Sequence, residues 1–200
     1  MILPFSIKPI FYNWYEQTYS TILPEMGDSS DKDNDHIEHS LNMARYDVDV
    51  VDLHLPIPEA RPVRIYDFGC GLGRIGVGLG LTLIAKDVGV ELRFRDITPH
   101  REDFANYMAE LNGLRFIEAN ISQYDIIIAR EVFEHLEHPV VALSILDYSL
   151  KPGGILLTAV KDHLPSKLHI HPDLSDVREY LDDHGYTNIW KNAVYQKRIK

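Results

Sequence analysis

The 200-residue sequence contains a single cysteine, Cys70, so it cannot form an internal disulfide bond. It contains no apolar run of the roughly 20 residues that a membrane-spanning helix requires. The apolar amino-terminal stretch is interrupted by Pro4, Lys8 and Pro9, and no small-residue cleavage site follows it. No internal repeat is present. These absences exclude a disulfide-rich secreted domain and a solenoid, and we expect a cytoplasmic protein.

Positive charge is also scarce, because 20 lysines and arginines stand against 30 aspartates and glutamates, which gives a net charge of −10. An acidic chain is repelled by a phosphate backbone, so we do not expect nucleic acid to be a partner. The hydrophobic fraction of 45% is that of an ordinary globular protein and suffices for one main domain. Composition does not indicate an oligomeric state.

The most informative stretch is an apolar segment, residues 63–68, followed by Gly69, Gly71 and Gly73. We interpret it as a buried strand, a glycine turn and then a helix over residues 74–86. Such a turn presents bare main-chain N–H groups at a helix amino terminus, where a nucleotide-like cofactor binds. However, Gly71, Gly73 and Gly76 also fit the G-x-G-x-x-G pattern of dinucleotide-binding proteins. The turn alone therefore leaves the cofactor open.

Elsewhere the chain alternates predicted strands and helices, which favours an α/β, doubly wound, mostly parallel sheet. The predicted strands after the first are residues 89–95, 114–118, 124–129, 155–160, 187–190 and 193–199. The short turn between the last two predicts an antiparallel hairpin at one edge of a seven-stranded sheet. Residues 61–200 then form one cofactor-binding domain, and residues 1–60 form a helical extension. We expect the aromatic residues between positions 11 and 19 to pack on the main domain or to close over the substrate as a lid.

Four segments together resemble the Rossmann-like S-adenosylmethionine-dependent methyltransferases. They are residues 67–73 for the first motif, 96–99 for the end of the second strand, 131–139 after the fourth strand, and 150–154 before the fifth. The segments occur in the family's order and cover roughly residues 60–160. The resemblance is greatest to the group that methylates small molecules, including quinone precursors. It implies a methyltransferase fold and S-adenosylmethionine as the cofactor.

The resemblance also implies roles for individual residues. Asp67 would help to hold the methionine amino group, and the three turn glycines would let the main chain approach the cofactor. Asp96 would accept hydrogen bonds from the ribose hydroxyls, a role that its position after the neighbouring strand also supports. Asn120 stands where the family often has an acid near adenine. The complete predicted set is Asp67, Gly69, Cys70, Gly71, Gly73, Asp96, Ile97, Asn120, Ile121 and Arg130.

Methyl transfer to a hydroxyl oxygen is helped by a base that removes the proton. His135 is the first candidate because it follows the fourth strand, and His163, after the fifth strand, is the second. If residues 131–135 form a helical turn, Glu131 and His135 share one face of it. A packing or capping role for His135 remains open at this point.

Several alternatives also remain open. Glu131, Glu134 and His135, with His169 or His171, resemble the metal motif of small-RNA 2′-O-methyltransferases, although we expect no metal. A nicotinamide-dependent oxidoreductase would have the same glycines, but it does not account for residues 131–139. A third alternative is a domain that binds the cofactor without turnover.

Overall fold

The computed structural model describes residues 61–117, 123–162, 164 and 169–199. The predicted extension, residues 1–60, lies outside these ranges, as do the predicted site residues Asn120, Ile121 and His163. None of the helices in the described ranges has the length and apolar character needed to cross a membrane.

The described chain forms a seven-stranded sheet flanked by four α-helices and one short 3-10 helix. The strand order is β3-β2-β1-β4-β5-β7-β6. In chain order the elements are β1 (Val63–Phe68), α1 (Arg74–Ile84), β2 (Val90–Arg95), α2 (Pro99–Leu111), β3 (Arg115–Phe116), β4 (Tyr124–Ala129), the 3-10 helix Phe133–His135, α3 (Pro139–Ser149), β5 (Leu150–Thr158), α4 (Ser175–Asp183), β6 (Tyr186–Trp190) and β7 (Val194–Lys197).

Strands β1 to β5 are parallel to one another, whereas β7 is antiparallel to both β5 and β6. The predicted doubly wound sheet with an antiparallel pair at one edge is therefore confirmed. Parallel strands of this kind place their carboxyl ends, and the loops that follow them, at one edge of the sheet. The glycine turn after β1, the segment after β2 and the segment after β4 all lie at that edge.

Two hydrophobic clusters, one on each face of the sheet, hold the fold together. Val63 and Ile65 of β1 pack with α1 and α2, and the alternating residues Tyr66 and Phe68 face the cluster that contains α3 and α4. Every residue of β4 except Asp125 is buried, since helices cover the sheet here on both sides.

The observed strand bounds differ from the predicted ones by one or two residues at β2, β3, β6 and β7, and by more at β5. β3 has only two residues, and β5 begins at Leu150 instead of Ile155. Leu150 pairs with Tyr124, and the next paired residue is Ile155 opposite Ile126, so the residues predicted to precede the strand form an irregularity within it. Gly153 in this segment has a φ of +79°, which accounts for its sequence signature as a turn.

Candidate functional site

The glycine turn after β1 is packed tightly against the segment that follows β4. Gly69 has a φ of +70°, and a Cβ added to it would lie 2.5 Å from Cγ2 of Val132. The main-chain N–H groups of Gly69 and Cys70 donate to the carbonyl of Arg95, at 2.8 and 3.0 Å, at the end of β2. The three carboxyl ends of β1, β2 and β4 are thereby joined into one site.

Asp96 contacts the glycine turn directly. Its Oδ2 accepts a hydrogen bond from the main-chain N–H of Gly71 at 2.8 Å, and its Oδ1 accepts one from Thr98 at 3.0 Å. A Cβ added to Gly71 would meet nothing within 4 Å, so a ligand can approach the main chain here. The predicted ribose-binding carboxylate and the open part of the turn are therefore adjacent.

Asp67 lies deeper and supports the turn from below. Its side chain is buried, and its Oδ2 accepts a hydrogen bond from the main-chain N–H of Gly76 at 3.1 Å, in the first turns of α1. A Cβ at Gly76 would lie 2.8 Å from the same oxygen. Asp67 therefore fixes the position of α1 relative to β1, while its predicted contact with the cofactor stays a prediction.

Two other predicted cofactor residues differ in environment. Burial, together with the nearby carboxylates of Asp67 and Asp96, raises the pKa of the Cys70 thiol. A thiol held protonated is a poor nucleophile. Ile97, in contrast, is 95% exposed and offers an apolar surface next to Asp96.

The segment after β4 is not an α-helical turn. Phe133–His135 is a 3-10 helix, and Glu131 precedes it with a left-handed φ of +51°. The prediction that Glu131 and His135 share one helical face is therefore wrong, because residue 131 lies outside the helix. The chain bends at Glu131, so its carboxyl group is directed toward Glu134.

Glu131 and Glu134 form a pair of carboxyl groups with opposite behaviour. The Glu134 side chain is 1% exposed, and its burial, together with the Glu131 carboxylate, raises the pKa of Glu134 to about 7. Burial also acts to raise the pKa of Glu131, but the hydrogen bond with Glu134 and the Lys161 ammonium, 3.3 Å away, hold it below its ordinary value. Near neutral pH the pair therefore carries between one and two negative charges.

His135 lies at the solvent boundary of this pair. Its side chain is 42% exposed, and its Nε2 is 3.9 Å from Oε1 of Glu134. The ring of His169 lies against it, with centroids 5.4 Å apart. The main-chain N–H of His171 donates to the carbonyl of Glu134 at 3.0 Å. His135 is therefore accessible to a ligand and backed by a buried acid.

Arg130, the remaining predicted site residue among those described, links two strand ends. Its Nη1 donates to the carbonyl of Thr158 at 2.6 Å, between the carboxyl ends of β4 and β5. Sequence reasoning missed Lys161 and Val132 as neighbours of the site. Neither residue has a signal of its own in the sequence, because only the fold brings Lys161 to Glu131 and Val132 to Gly69.

A metal centre is not built from these side chains. Over residues 61–117, 123–162, 164 and 169–199, no group of three or more histidines, cysteines and acids is arranged to hold a metal ion. Glu131, Glu134, His135, His169 and His171 all lie in these ranges. The expectation of a metal-free site stays a prediction.

Comparison with known sequences identifies the family. A family profile described as a methyltransferase domain matches residues 28–192, which is most of the chain. The chain belongs to this methyltransferase family. The predicted family membership is confirmed, and the methyltransferase match covers the glycine turn, Asp96 and the segment after β4 together.

Individual relatives are more distant. Ubiquinone biosynthesis O-methyltransferase of Cereibacter sphaeroides (strain ATCC 17029 / ATH 2.4.9) is 27% identical over 57% of this chain and 47% of its own length. The enzyme of the same description from Roseobacter denitrificans is 29% identical, over 64% of this chain and 55% of its own length. The chain thus spans about half the length of the relatives it matches.

Solved structures support the fold. Magnesium protoporphyrin IX methyltransferase from Synechocystis PCC 6803, with bound SAH, superimposes with a TM-score of 0.64 at 14% identity, over 96% of each chain. TehB from Haemophilus influenzae gives a TM-score of 0.59 at 20% identity, over 76% of this chain and 62% of that protein. At these identities the similarity is one of fold.

Proposed function

We propose that this protein is an S-adenosylmethionine-dependent methyltransferase that acts on a small-molecule acceptor at a hydroxyl oxygen. The observation that carries the proposal is the 2.8 Å contact between the Asp96 carboxylate and the Gly71 N–H. It joins an acid at the end of β2 to an open glycine turn at the end of β1, where a nucleoside ribose and main chain can meet. The family match and the relatives described as O-methyltransferases support the reaction class.

The residues at the carboxyl ends of β1 and β2 fit the cofactor. Asp96 has two carboxylate oxygens on the loop side and can accept hydrogen bonds from ribose hydroxyls in place of main-chain N–H groups. Ile97 provides apolar surface beside it, and the open side of Gly71 admits the ligand. When bound, S-adenosylmethionine supplies an electrophilic methyl group, and the chain's own residues bind, orient and shield it.

The acceptor would bind over the segment after β4, which contains both the exposed His135 and Val132, the residue packed against Gly69. During methyl transfer from a bound cofactor, a neutral imidazole at this position would take the proton from the acceptor hydroxyl. The buried Glu134, 3.9 Å from the ring, would then stabilise the imidazolium once the Glu134 carboxyl group is ionised. His163 remains the second candidate for this proton transfer.

The proposal also includes roles for the amino-terminal extension and for Arg130. Within residues 1–60, the aromatic residues between positions 11 and 19 would pack on the domain or close over the substrate, and Arg130 would orient the ends of β4 and β5. The single cysteine supports a cytoplasmic location, and the acidic composition supports a small-molecule acceptor over nucleic acid.

The test begins with calorimetry of S-adenosylhomocysteine and of NAD against the purified protein. We expect binding of S-adenosylhomocysteine and none of NAD, and the reverse result would overturn the cofactor assignment. Phenols, catechols and quinone precursors are then screened for release of S-adenosylhomocysteine, and methylated products are identified by mass spectrometry. Binding without turnover on any hydroxyl acceptor would favour the non-catalytic alternative.

A further inference from the structure

The sheet face that carries α3 and α4 is covered unevenly. Among the strands, α3 packs mainly on β5 and α4 packs mainly on β6. On the opposite face, α1 and α2 cover β1, β2 and β3. The connection from β3 to β4, residues 117–123, is much shorter than the dozen or so residues of a helical crossover. Among the described residues, no helix therefore covers the half of this face formed by β1, β2 and β3.

Charged side chains occupy this half of the face. Arg64 of β1, Glu91 of β2 and Arg115 of β3 lie in register across the three strands. Glu91 accepts from Arg64 Nε at 3.0 Å and lies 3.2 Å from Arg115 Nη1. The arginine side chains are 35% and 75% exposed, while that of Glu91 is 10% exposed. One buried carboxylate thus faces two guanidinium groups.

Two residues further along β1 and β2, Tyr66 pairs with Arg93, and the Arg93 side chain contacts two aromatic rings. The Arg93 guanidinium carbon lies 5.0 Å from the centroid of the Tyr66 ring, and Arg93 Nη1 donates to the Tyr124 hydroxyl at 3.3 Å. The two tyrosine rings are stacked at 5.1 Å. We call Arg64, Tyr66, Glu91, Arg93 and Arg115 the arginine face. These five described residues include three arginines and one carboxylate, so positive charge is in excess among them.

The negative charge of the chain is concentrated before the domain that carries the arginine face. Residues 1–60 contain 11 acids and 3 lysines or arginines, whereas residues 61–200 contain 19 acids and 17 lysines or arginines. Nearly all of the excess negative charge therefore precedes the described domain. The last part of this acidic stretch, residues 41–60, contains Asp47, Asp49 and Asp52 interspersed with apolar residues. It also contains Glu59, two residues before Arg61.

The point at which this segment joins the domain is known. Arg61 donates to both carboxylate oxygens of Asp125, at 2.8 and 2.6 Å, and the main-chain N–H of Arg64 donates to the same carboxylate. Arg61, the first described residue, and Arg64 of the arginine face therefore bind the same carboxylate. Neighbouring strands are about 4.8 Å apart, so β3 lies only about 10 Å away across the sheet. Twenty residues reach this distance easily.

We propose that residues 41–60 of this same chain dock on the arginine face, with their acids against Arg64, Arg93 and Arg115. The apolar residues between the acids would cover the Tyr66 ring and the arginine stems. The interaction is intramolecular, so it requires no high affinity from each contact. It would cover the half of the face on which no described helix packs, with a segment whose charge is opposite to that of the arginine face.

Zero-length crosslinking of the full chain tests this proposal. In the variant Arg115→Lys, a carbodiimide should join the introduced lysine to Asp47, Asp49, Asp52 or Glu59, as identified by peptide mass spectrometry. The native Lys191, at the turn between β6 and β7, is the internal control and should not join these acids. A crosslink to Glu91 without any to residues 41–60 would overturn the proposal. Mixed isotope-labelled protein identifies links between copies, which would also overturn it.

A second measurement uses proteolysis. Docked residues 41–60 would protect the peptide bond after Arg45 from trypsin, so the charge reversal Arg115→Glu should raise the cleavage rate there at least threefold. Lys191→Glu makes the same charge change away from the face and should leave the rate unchanged. Equal cleavage in wild type and both variants would show that the arginine face does not hold the segment.

Discussion

The glycine turn after β1 and the segment after β4 form two sides of one site, but they are built differently. In the turn, carboxylates accept hydrogen bonds from main-chain N–H groups, as Asp96 does from Gly71 and Asp67 does from Gly76. In the segment, carboxyl groups contact ionisable side chains, as Glu134 does with Glu131 and His135. Main-chain N–H groups do not titrate near neutral pH, whereas carboxyl and imidazole side chains can gain or lose a proton.

The two sides therefore suit different tasks. A main-chain site has a fixed geometry and binds its ligand similarly over a broad pH range. A cluster of side chains with a pKa of about 7 at Glu134 can exchange protons at neutral pH. We expect substitutions in the turn to change cofactor affinity and substitutions in the segment to change turnover. The predictions below test this division, beginning with the largest effect.

Replacing His135 should separate turnover from cofactor binding. A positioned base contributes on the order of 10²–10⁴ in rate, so His135→Ala should lower turnover by at least about 10². The dissociation constant for S-adenosylhomocysteine should stay nearly unchanged. His138→Ala is the matched control, because His138 is close in sequence and 73% exposed. Wild-type turnover in His135→Ala would move the base elsewhere, with His163 next.

Replacing Asp96 should have the opposite signature. A hydrogen bond to a charged group contributes about 1.5–3 kcal/mol, so Asp96→Ala should weaken S-adenosylhomocysteine binding about tenfold or more. Calorimetry measures this change, with Asp103→Ala on the exposed side of α2 as control. An unaltered dissociation constant would show that Asp96 is not the ribose ligand.

The pKa of Glu134 predicts a pH-dependent stability. Because the fold raises this pKa to about 7, the folded protein holds the proton more tightly than the unfolded chain does. The group therefore stabilises the fold at low pH, and this contribution is lost as the pH rises toward 7. Glutamine does not titrate, so the stability of Glu134→Gln relative to wild type should increase as the pH rises from 4.5 to about 7 and stay constant above that.

We expect a gain of about 1 kcal/mol in the free energy of unfolding, since the pKa of Glu131 moves in the opposite direction and offsets part of the effect. Urea denaturation at several pH values measures it. Glu137→Gln, whose side chain is 82% exposed, is the control and should show no such trend. A parallel pH dependence of wild type and Glu134→Gln would contradict the raised pKa.

The smallest expected effect is that of metal removal. We expect turnover to be the same before and after treatment with a chelator, because no metal-binding group is arranged among the described side chains. Loss of turnover on chelation, with recovery on addition of magnesium or zinc, would make Glu131, Glu134 and His135 ligands. The segment after β4 would then bind a metal ion instead of transferring protons.

The glycine turn and the segment after β4 also differ in how far they could be predicted from the sequence. The sheet and the glycine turn could be predicted because alternation of elements and local glycine chemistry determine them. The short β3 and the irregular start of β5 could not, since their ends depend on pairing with distant strands. In the site, Asp96 could be placed by its position after β2. The geometry of residues 131–135 could not, because the left-handed Glu131 and the ion pair with Lys161 depend on tertiary contacts.

The position of β7 has a consequence for synthesis of the chain. β7 lies between β5 and β6, although it follows both in the sequence, and Lys197 at its end contacts the Asp147 carboxylate and the carbonyl of Leu150. While the ribosome has released only the residues up to β6, the outer edge of β5 has no partner strand. An unpaired central strand is a template for intermolecular association. Nascent chains stalled before residue 194 should therefore aggregate or engage chaperones, and release of four further residues should end that susceptibility.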